Sequence, residues 1–403
     1  MKKIAINGFG RIGRAALKII LNTTGLEIVA VNDLMSLENA VYLLKHDSVY
    51  GNYENDVTFQ LDYIHIRDKR IQFLSERDPA RLPWKNLDID IVIESTGFFT
   101  KREDAEKHIY AGAKYVIISA PTKSKDTPTL IHGVNSTDGK TTVFSCASCT
   151  TNNIAPIIEI LDRRIGIQKA ILNTVHAYTA SQALVDAPSD KKFRMGRAAG
   201  VNLVPASTGA AIATIKALPQ MEGKFDGLAK RTPVPVGSIS DITFLAARNT
   251  TAEEINNILL EESKTDRYRF VLDVSNEPLV SSDIVQSPFA SVVDLEMTRV
   301  VDGESEPIIL EPLPRTLHDI SCLAQNCSSF CSKTAFSGSI NSGIAAPTFN
   351  EVNSRHELFS LIESSGISCN NNALRLRVIL FFPVDFFRIK DRFGDSFQFA
   401  IFF

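Results

Sequence analysis

A cysteine lies where a strand-like run gives way to a helix-like run, in the segment Ala147-Ser-Cys-Thr-Thr-Asn-Asn153. The strand-like run covers residues 141–145 and the helix-like run covers residues 154–164. Cys149 is therefore expected at or near a helix N-terminus, where unpaired N–H groups and the helix dipole favour a thiolate. His176 ends another apolar run further along the chain. A thiolate with a histidine partner is a nucleophile suited to attack on a carbonyl carbon.

The composition is that of a soluble enzyme of two domains with residues to spare. The chain has 403 residues, of which 44% are hydrophobic and 22% charged, and its net charge is -3. The absence of a basic surplus argues against a nucleic-acid partner, and the longest apolar run, residues 378–382, is far shorter than the ~20 residues that span a membrane. No signal peptide is recognisable at the N-terminus. Because six cysteines are too few for a disulfide scaffold and Cys149 must stay reduced, the sequence predicts a cytoplasmic protein.

The first residues match a dinucleotide-binding motif. An apolar strand, residues 2–7, runs into Gly8-Phe-Gly-Arg-Ile-Gly13, and a helical pattern follows. A second strand, residues 27–31, is followed by Asn32 and Asp33. The glycines permit a tight turn and bring backbone N–H groups close to a pyrophosphate, while Asp33 can accept hydrogen bonds from a ribose diol. A 2′-phosphate would lie beside that carboxylate, so NAD is favoured over NADP; the alternative is a plain glycine-rich turn near an N-capping aspartate.

Strand and helix patterns predict two domains of different kinds. Further buried strands at residues 90–94 and 115–119 extend a parallel sheet, which indicates an α/β, Rossmann-type NAD-binding domain in residues 1–149. Residues 150–303 are predicted to form an α+β catalytic domain, with helices on one face of a mostly antiparallel sheet. Its predicted strands are residues 169–177, 225–233, 239–247 and 290–300, and its predicted helices are residues 208–218 and 251–264.

Three elements of the second half could hold a phosphate group. Ser148 and Thr150 flank the cysteine, Thr208 and Gly209 open a predicted helix, and Arg231 ends a predicted strand. A helix N-terminus binds anions, and a guanidinium can clamp phosphate through two hydrogen bonds. Each element alone also fits a capping residue or a surface arginine. Together with Cys149 and His176, they indicate an aldehyde substrate that carries a phosphate.

The chain resembles the phosphorylating glyceraldehyde-3-phosphate dehydrogenase family over roughly residues 1–303. The motifs that carry the resemblance are specific and collinear. They are Asn7-Gly-Phe-Gly-Arg-Ile-Gly-Arg14, Glu94-Ser-Thr-Gly97, Ser148-Cys-Thr-Thr-Asn152, His176-Ala-Tyr-Thr179, Arg197-Ala-Ala199, Pro205-Ala-Ser-Thr-Gly-Ala-Ala211 and Ser291-Val-Val-Asp294.

The resemblance implies NAD-dependent oxidation of glyceraldehyde 3-phosphate to 1,3-bisphosphoglycerate, as in glycolysis. Cys149 is expected to form a thiohemiacetal with the aldehyde, and His176 to act as the base. Hydride transfer to NAD would leave a thioester, which inorganic phosphate would then attack. Thr179 and Arg231 match family positions that bind the substrate phosphate. Positions near the attacking phosphate are matched by Ser148, Thr150, Thr208 and Gly209.

The resemblance also implies the cofactor contacts and the assembly. The segment of residues 178–201 resembles the family's S-shaped loop, which lines a neighbouring subunit's cofactor site, so a homotetramer is expected. The positions expected to contact NAD are Gly8, Gly10, Arg11, Ile12, Gly13, Asp33, Arg77 and Ser119.

Departures from the family pattern leave alternatives open. Ser181 stands where many relatives carry an acid, and Cys146 creates a C-x-x-C pair with Cys149 that can be interpreted as a redox pair or half a zinc site. The family's tryptophan-rich C-terminal segment is missing, since Trp84 is the only tryptophan. This missing segment motivates one alternative, a defective or non-catalytic NAD-binding relative. Within the dehydrogenase interpretation, erythrose 4-phosphate is the alternative substrate.

Residues 304–403 are predicted to be an atypical, poorly ordered tail. Their composition changes abruptly, which we interpret as translation in a wrong reading frame, with an unrelated fused end as the alternative. No metal site is predicted there, because the spacing of the tail's histidine and cysteines matches no standard zinc site. Those residues are His318, Cys322, Cys327 and Cys331.

Overall fold

Two large β-sheets, a two-stranded hairpin and their helices make up the part of the chain that the computed structural model describes, residues 1–137, 139–190, 192–301 and 373–380. The strands of the first sheet and of a small hairpin are β1 (Lys2–Asn7), β2 (Leu26–Asn32), β3 (His46–Asp47), β4 (Gly51–Asn52), β5 (Val57–Gln60), β6 (Tyr63–Ile66), β7 (Lys69–Leu74), β8 (Ile91–Glu94), β9 (Tyr115–Ile118) and β10 (Val143–Ser145). The strands of the second sheet are β11 (Ile167–Ala177), β12 (Val204–Ser207), β13 (Phe225–Thr232), β14 (Ser238–Ala246), β15 (Leu272–Ser275), β16 (Ser291–Asp294), β17 (Arg299–Val301) and β18 (Ala373–Leu380). The α-helices are α1 (Arg11–Leu21), α2 (Leu37–Lys45), α3 (Arg102–Tyr110), α4 (Cys149–Arg164), α5 (Ala210–Ala217) and α6 (Ala252–Ser263).

The first sheet is a Rossmann-type sheet with an antiparallel edge. Its strand order is β10-β9-β8-β1-β2-β7-β6-β5, and all neighbours are parallel except the pairs β7–β6 and β6–β5. β1 lies between β2 and β8, so the strand order reverses there and a crevice forms beyond its carboxyl end. Helices pack on both faces: α1 contributes to one apolar core and α3 to another. The sequence prediction of an α/β dinucleotide-binding fold is confirmed.

Side-chain caps determine where several helices begin. The Ser36 hydroxyl accepts a hydrogen bond from the Asn39 amide at 3.2 Å and caps α2. Thr251 caps α6 in the same way, with the Glu254 amide as donor at 3.1 Å. Each cap satisfies one of the free N–H groups of a first helical turn. The predicted helices at residues 208–218 and 251–264 are thus present, with ends shifted by one or two residues.

The second sheet is mixed and mostly antiparallel, as predicted. Its order is β12-β13-β11-β14-β18-β16-β15, and β17 also pairs with β18. Only the pairs β11–β13 and β15–β16 are parallel. α4, α5 and α6 share one large apolar core with this sheet. The core holds α4, and therefore the start of the helix at Cys149, against the sheet that carries His176.

The prediction of one strand over residues 290–300 is wrong. The structure has two strands, β16 and β17, separated by a short 3-10 turn at Leu295–Met297. The Asp294 carboxylate accepts a hydrogen bond from the Glu296 amide at 3.1 Å and caps this turn. The Asn256 side chain donates to the Leu295 carbonyl at 2.9 Å and stabilises the turn from α6. These side-chain hydrogen bonds compete with the extended conformation that the apolar pattern favours.

A strand from the predicted tail lies inside the second sheet. β18 pairs along its whole length with β14 and, near its end, with β16. Leu380 is the register partner of Ser238, which is paired with His176, so one row of the sheet runs from the tail to this histidine. The rest of residues 304–403, including the cysteines considered for zinc, lies outside the described residues. The domain boundaries stay predictions.

Replacing Val378 by proline should destabilise the second sheet. Residue 378 pairs with Ser240 of β14 and Val293 of β16, and proline removes a backbone donor from the interior of this sheet. We expect the free energy of unfolding to fall by about 2 kcal/mol or more, measured by urea unfolding with circular dichroism. Val378→Ala keeps the N–H group and is the matched control. Equal urea midpoints for the two variants would contradict the pairing.

Within the described ranges, no helix has the length and apolar character needed to cross a bilayer.

Candidate active site

Two glycines are required by the shape of the turn between β1 and α1. Gly8 has a φ of +96°, and a Cβ atom built on it would lie 2.5 Å from the Thr96 amide nitrogen. A Cβ atom on Gly13 would lie 2.1 Å from the Gly8 carbonyl oxygen. Gly10 differs, because its Cβ would meet nothing within 4 Å. Gly8 and Gly13 thus allow close packing within the turn, while Gly10 leaves open space at the start of α1.

The N-terminus of α1 fits the pyrophosphate of a dinucleotide. No side chain caps this helix at Gly10, and its first turn contains no acidic residue. The amides of Arg11 and Ile12 belong to that uncapped turn, and the exposed Arg11 guanidinium lies 5.6 Å from the centre of the Tyr50 ring. Uncapped amides, the positive end of the helix dipole and a nearby cation together form a site for an anion.

Asp33 is fixed beside this turn by two backbone amides. Its carboxylate accepts hydrogen bonds from the Phe9 amide at 2.6 Å and from the Met35 amide at 2.9 Å. Arg77 is exposed in the segment after β7. Ser119 follows β9, and its amide donates to the Glu94 carbonyl at 2.9 Å. These predicted cofactor residues all follow strands of the first sheet, at its carboxyl edge.

Two exposed apolar residues at this edge were missed by sequence reasoning. Leu34 follows Asp33 and is 53% exposed, and Phe98, after β8, is 82% exposed. Their positions suit contact with the apolar faces of a bound base. Their signal in the sequence is position alone: each closely follows the end of a predicted parallel strand.

A tight turn brings Cys149 to the first position of α4. Ala147 has a φ of +63°, in the left-handed region that costs a residue with a Cβ roughly 1–2 kcal/mol. Ser148 caps the helix, its hydroxyl accepting from the Thr151 amide at 3.2 Å. The Asn152 side-chain NH2 group donates to the backbone carbonyls of Cys146 at 2.7 Å and Ser148 at 2.9 Å. These local hydrogen bonds hold Ala147 in its strained conformation. The structural role of Asn152 was not predicted, although Asn152 belongs to the sequence motif around Cys149.

Cys149, His176 and Arg231 come together from three elements. The Cys149 Sγ lies 3.4 Å from the His176 Nε2. On the other side of the ring, His176 Nδ1 lies 2.6 Å from the Arg231 Nη1 and 2.7 Å from the Ala177 carbonyl oxygen. His176 and Arg231 are register partners on the adjacent parallel strands β11 and β13. The contact between nucleophile and base that the sequence predicts is therefore present in the structure.

The hydrogen on the His176 ring can occupy either of two places. If Nδ1 accepts from Arg231, the hydrogen lies on Nε2 and points toward the sulfur. If Nδ1 donates to the Ala177 carbonyl, Nε2 is an acceptor and can take a proton. Only the second arrangement allows His176 to act as a base. Arg231 also donates to the Ala177 carbonyl at 2.9 Å, so it can turn away from Nδ1 and keep a hydrogen bond.

Burial opposes charge on both members of the pair. Burial raises the pKa of the Cys149 thiol, while hydrogen bonds from Thr150 and the charge of Arg231 act in the opposite direction. Burial, with help from the Arg231 charge, lowers the pKa of His176 to about 4. The pair in this structure therefore favours a thiol beside a neutral imidazole. The thiolate that the sequence predicts at the helix N-terminus needs further stabilisation when the site is filled.

The predicted phosphate-binding residues differ in their burial and in their hydrogen-bond partners. Thr150 is buried next to Cys149, its Oγ1 3.8 Å from the sulfur. The Thr208 hydroxyl accepts a hydrogen bond from the Ala210 amide at 3.1 Å, and α5, which begins after Gly209, has no acid in its first turn. The Thr179 hydroxyl lies 2.8 Å from the Ser181 hydroxyl. The Arg231 Nε is buried and has no hydrogen-bond partner among the described residues, which leaves it available to an anion.

Cys146 is a buried free thiol. Its side chain is 2% exposed and donates to the Ile118 carbonyl at 3.4 Å. Burial raises its pKa to about 12, so it stays a thiol. Among the described residues, no group of three or more histidine, cysteine or acidic side chains is placed to hold a metal ion. These observations disfavour both alternative interpretations of the C-x-x-C pair.

Two family models match this chain. The model described as glyceraldehyde 3-phosphate dehydrogenase, NAD binding domain, matches residues 2–102. The model described as glyceraldehyde 3-phosphate dehydrogenase, C-terminal domain, matches residues 148–309.

Individual relatives are similar over most of their own length. A glyceraldehyde-3-phosphate dehydrogenase of Clostridium pasteurianum is 42% identical over 312 residues, which are 77% of this chain and 92% of that protein. The enzyme of the same name from Chlamydia pneumoniae is 46% identical over 296 residues, 72% of this chain and 88% of that protein. Glyceraldehyde-3-phosphate dehydrogenase 2 of Bacillus subtilis is 41% identical over 310 residues, 76% of this chain and 90% of that protein.

Proposed function

This chain belongs to the glyceraldehyde-3-phosphate dehydrogenase family, and we propose that Cys149 and His176 perform its NAD-dependent, phosphorylating oxidation of glyceraldehyde 3-phosphate. The observation that carries this assignment is the 3.4 Å contact between the Cys149 sulfur and the His176 Nε2 at the start of α4. A nucleophile in contact with a base, whose other ring nitrogen faces the Arg231 guanidinium, suits an aldehyde that carries a phosphate.

The first half of the reaction makes a thioester on Cys149. The sulfur attacks the aldehyde carbon, and the resulting thiohemiacetal holds a hydroxyl group close to His176. When bound, NAD supplies a hydride acceptor. His176 Nε2 takes the hydroxyl proton as the carbonyl re-forms, which leaves an acyl group on the sulfur. For this step the Nδ1–H must donate to the Ala177 carbonyl, so Arg231 must leave Nδ1.

The second half transfers the acyl group to inorganic phosphate. A phosphate oxygen attacks the thioester carbon, and Cys149 leaves as a thiolate to give 1,3-bisphosphoglycerate. Thr150, Thr208 and Gly209 are proposed to bind the attacking phosphate, since the positive end of the α5 dipole favours an anion and no acidic residue lies in its first turn. Ser148 is proposed to act through its position, because its hydroxyl already caps α4.

Arg231 and Thr179 are proposed to bind the phosphate of the substrate. The Arg231 guanidinium is half-buried, and no carboxylate among the described residues pairs with it. A substrate phosphate would satisfy its buried Nε. The same contact would draw Arg231 away from His176 and leave the ring free to act as a base.

NAD is the cofactor that the first domain is built to bind. The proposed contacts are the turn of Gly8, Gly10 and Gly13, the amides of Arg11 and Ile12, and the side chains of Asp33, Arg77 and Ser119. The Asp33 carboxylate would repel a 2′-phosphate, so we expect weaker reduction of NADP than of NAD.

A spectrophotometric assay tests the proposed function. Purified protein should reduce NAD with glyceraldehyde 3-phosphate only when inorganic phosphate is present, and arsenate should replace phosphate. Erythrose 4-phosphate and NADP in parallel assays should give lower kcat/KM. NAD binding without turnover would support the defective relative instead.

We further propose that the chain forms a homotetramer. The outer face of the second sheet exposes Ile171 (50%) and Leu228 (42%), and the segment before β12 exposes Leu184 (83%), Phe193 (82%) and Leu203 (72%). Apolar patches of this kind mark protein–protein interfaces. Sedimentation of the purified protein should give four times the 44.4 kDa mass of one chain. A monomer that is fully active would contradict the proposal.

The cytoplasm is the proposed location. The reason is chemical: a half-buried nucleophilic thiol must stay reduced, and reducing compartments keep it so. Mass spectrometry of the protein from its native source should find Cys149 as a free thiol.

A further inference from the structure

A buried polar cluster connects the strand ends beneath the NAD site. Glu94 is 1% exposed, and His108 and Trp84 are fully buried. The Trp84 indole N–H donates to His108 Nδ1 at 2.9 Å, and His108 Nε2 lies 3.1 Å from a Glu94 carboxylate oxygen. The same oxygen accepts from the Asn7 side-chain NH2 group at 2.6 Å. The proposed cofactor contacts include none of these side chains.

The hydrogen positions in this cluster are determined by Trp84. An indole nitrogen can only donate, so His108 Nδ1 must accept and the ring hydrogen must lie on Nε2. Nε2–H then donates to Glu94. The other carboxylate oxygen accepts from the Thr96 amide at 2.8 Å and also from the Thr96 hydroxyl. Four donors thus satisfy a buried carboxylate with no lysine or arginine bonded to it among the described residues.

The cluster joins loops that lie side by side at the carboxyl edge of the sheet. Asn7 is the register partner of both Asn32 and Glu94, so the three residues form one row across β2, β1 and β8. The Asn32 side-chain NH2 group donates to the Asn7 side-chain oxygen at 2.7 Å and to the Glu76 backbone carbonyl at 2.9 Å. Asn7 precedes Gly8, Asn32 precedes Asp33, and Glu76 precedes Arg77. Three of the proposed cofactor segments therefore begin next to a member of the row or next to a residue bonded to one.

A buried carboxylate is costly unless every hydrogen bond to it is made. An apolar row would stabilise a sheet interior at lower cost. The polar row instead fixes the relative positions of the strand ends, because a shift of one strand end breaks a hydrogen bond to its neighbour. The Ser95 hydroxyl extends the connection to the backbone of the glycine turn, donating to the Gly8 carbonyl at 2.6 Å.

We propose that Trp84, His108 and Glu94 form a positioning relay, which fixes Asn7 and Thr96 and thereby holds the strand ends in the geometry that binds NAD. The relay acts on cofactor affinity and has no part in the chemical step. It rests on the proposed function only for the identity of the cofactor. Its members are positioning residues, since none contacts a reacting atom.

Glu94→Gln tests the relay directly. The amide has the same shape, but its NH2 group must face either the Thr96 amide or the donors from Asn7 and His108. His108 cannot relieve the conflict by moving its hydrogen to Nδ1, because the Trp84 N–H already points there. We expect the dissociation constant for NAD, measured by calorimetry, to rise roughly tenfold. At saturating NAD, kcat and the KM for glyceraldehyde 3-phosphate should change by less than about twofold.

Hydrogen exchange provides a readout that needs neither cofactor nor substrate. In the protein without NAD, the amides of residues 7–10 should exchange faster in Glu94→Gln than in the parent chain. Glu106→Gln is the matched control, because among the described residues Glu106 pairs only with Arg102, at 2.8 Å on α3, away from the relay. It should leave both exchange and NAD affinity unchanged.

A gentler pair of variants covers the possibility that Glu94→Gln does not fold. Thr96→Val removes one donor to Glu94 from a half-buried position and should weaken NAD binding about threefold, whereas Thr96→Ser keeps the hydroxyl and should bind as the parent does. Because the relay acts as a unit, Glu94→Gln with His108→Gln should bind NAD no worse than the weaker single variant. Additive losses, or equal losses in NAD affinity and kcat, would overturn the proposal. A protein that binds NAD but lacks turnover would contradict only the proposed function.

Discussion

Cys149→Ser is expected to lower kcat for glyceraldehyde 3-phosphate oxidation by roughly 10⁴- to 10⁶-fold, the range seen when a covalent nucleophile is removed. A serine hydroxyl keeps the shape of the site but remains protonated at neutral pH. His176 is too weak a base to ionise it, since burial and Arg231 lower the pKa of the ring to about 4. Stopped-flow measurement of NADH formation will give the rate, and calorimetry should find NAD binding unchanged.

Cys146→Ser is the matched control for this prediction. Cys146 lies three residues before the nucleophile and donates to the Ile118 carbonyl, a bond that a serine can also make. We expect kcat within about threefold of the parent value. Peptide mapping after iodoacetamide treatment should find label on Cys149 before Cys146, which is buried and has its pKa raised to about 12. A Cys149→Ser variant with a tenth of the parent activity would exclude the thioester route.

His176→Asn is expected to reduce kcat by about 10²- to 10⁴-fold, the usual contribution of a general base. Asparagine can still donate a hydrogen bond to the sulfur or to a hydroxyl group, but it cannot accept a proton. Affinity for NAD should stay the same, because His176 lies on the second sheet. His65→Asn is the control and should have parent activity, because His65 lies on β6, next to the edge strand β5 of the first sheet.

The pH dependence of the parent enzyme follows from the same pair. Because the pKa of His176 is lowered to about 4, the ring is neutral and able to accept a proton throughout the neutral range. Because burial raises the pKa of Cys149, the thiolate fraction of the free enzyme should grow as the pH rises. We expect kcat/KM to increase from about pH 6 to about pH 9, with no acid limb due to His176 above about pH 5. A plateau already reached by pH 7 would indicate a thiolate in the resting enzyme.

Local sequence was sufficient for the elements whose geometry is local. The turn at Gly8 and Gly13 has no room for a Cβ atom, so the motif can be recognised without knowing the rest of the fold. The placement of Cys149 at the start of α4 likewise depends on Ser148 and Asn152, its near neighbours. The boundary of β16 was missed because the Asp294 and Asn256 side chains, rather than the apolar pattern, end that strand.

What the sequence determined by itself is the chemistry available: a glycine turn and an acid for NAD, a cysteine and a histidine for an aldehyde, and an arginine for phosphate. Only the tertiary structure decided how these groups act together. The register of β11 and β13 sets Arg231 against His176. Burial then raises the pKa of Cys149, which disfavours the thiolate that local reasoning predicts, and lowers the pKa of His176, which keeps the ring neutral. The relay of Trp84, His108 and Glu94 could not be predicted from the sequence, because it too depends on tertiary contacts. Its members are brought together by strand pairing and helix packing, and residues far apart in the chain leave no periodic pattern in the sequence that would predict the contact.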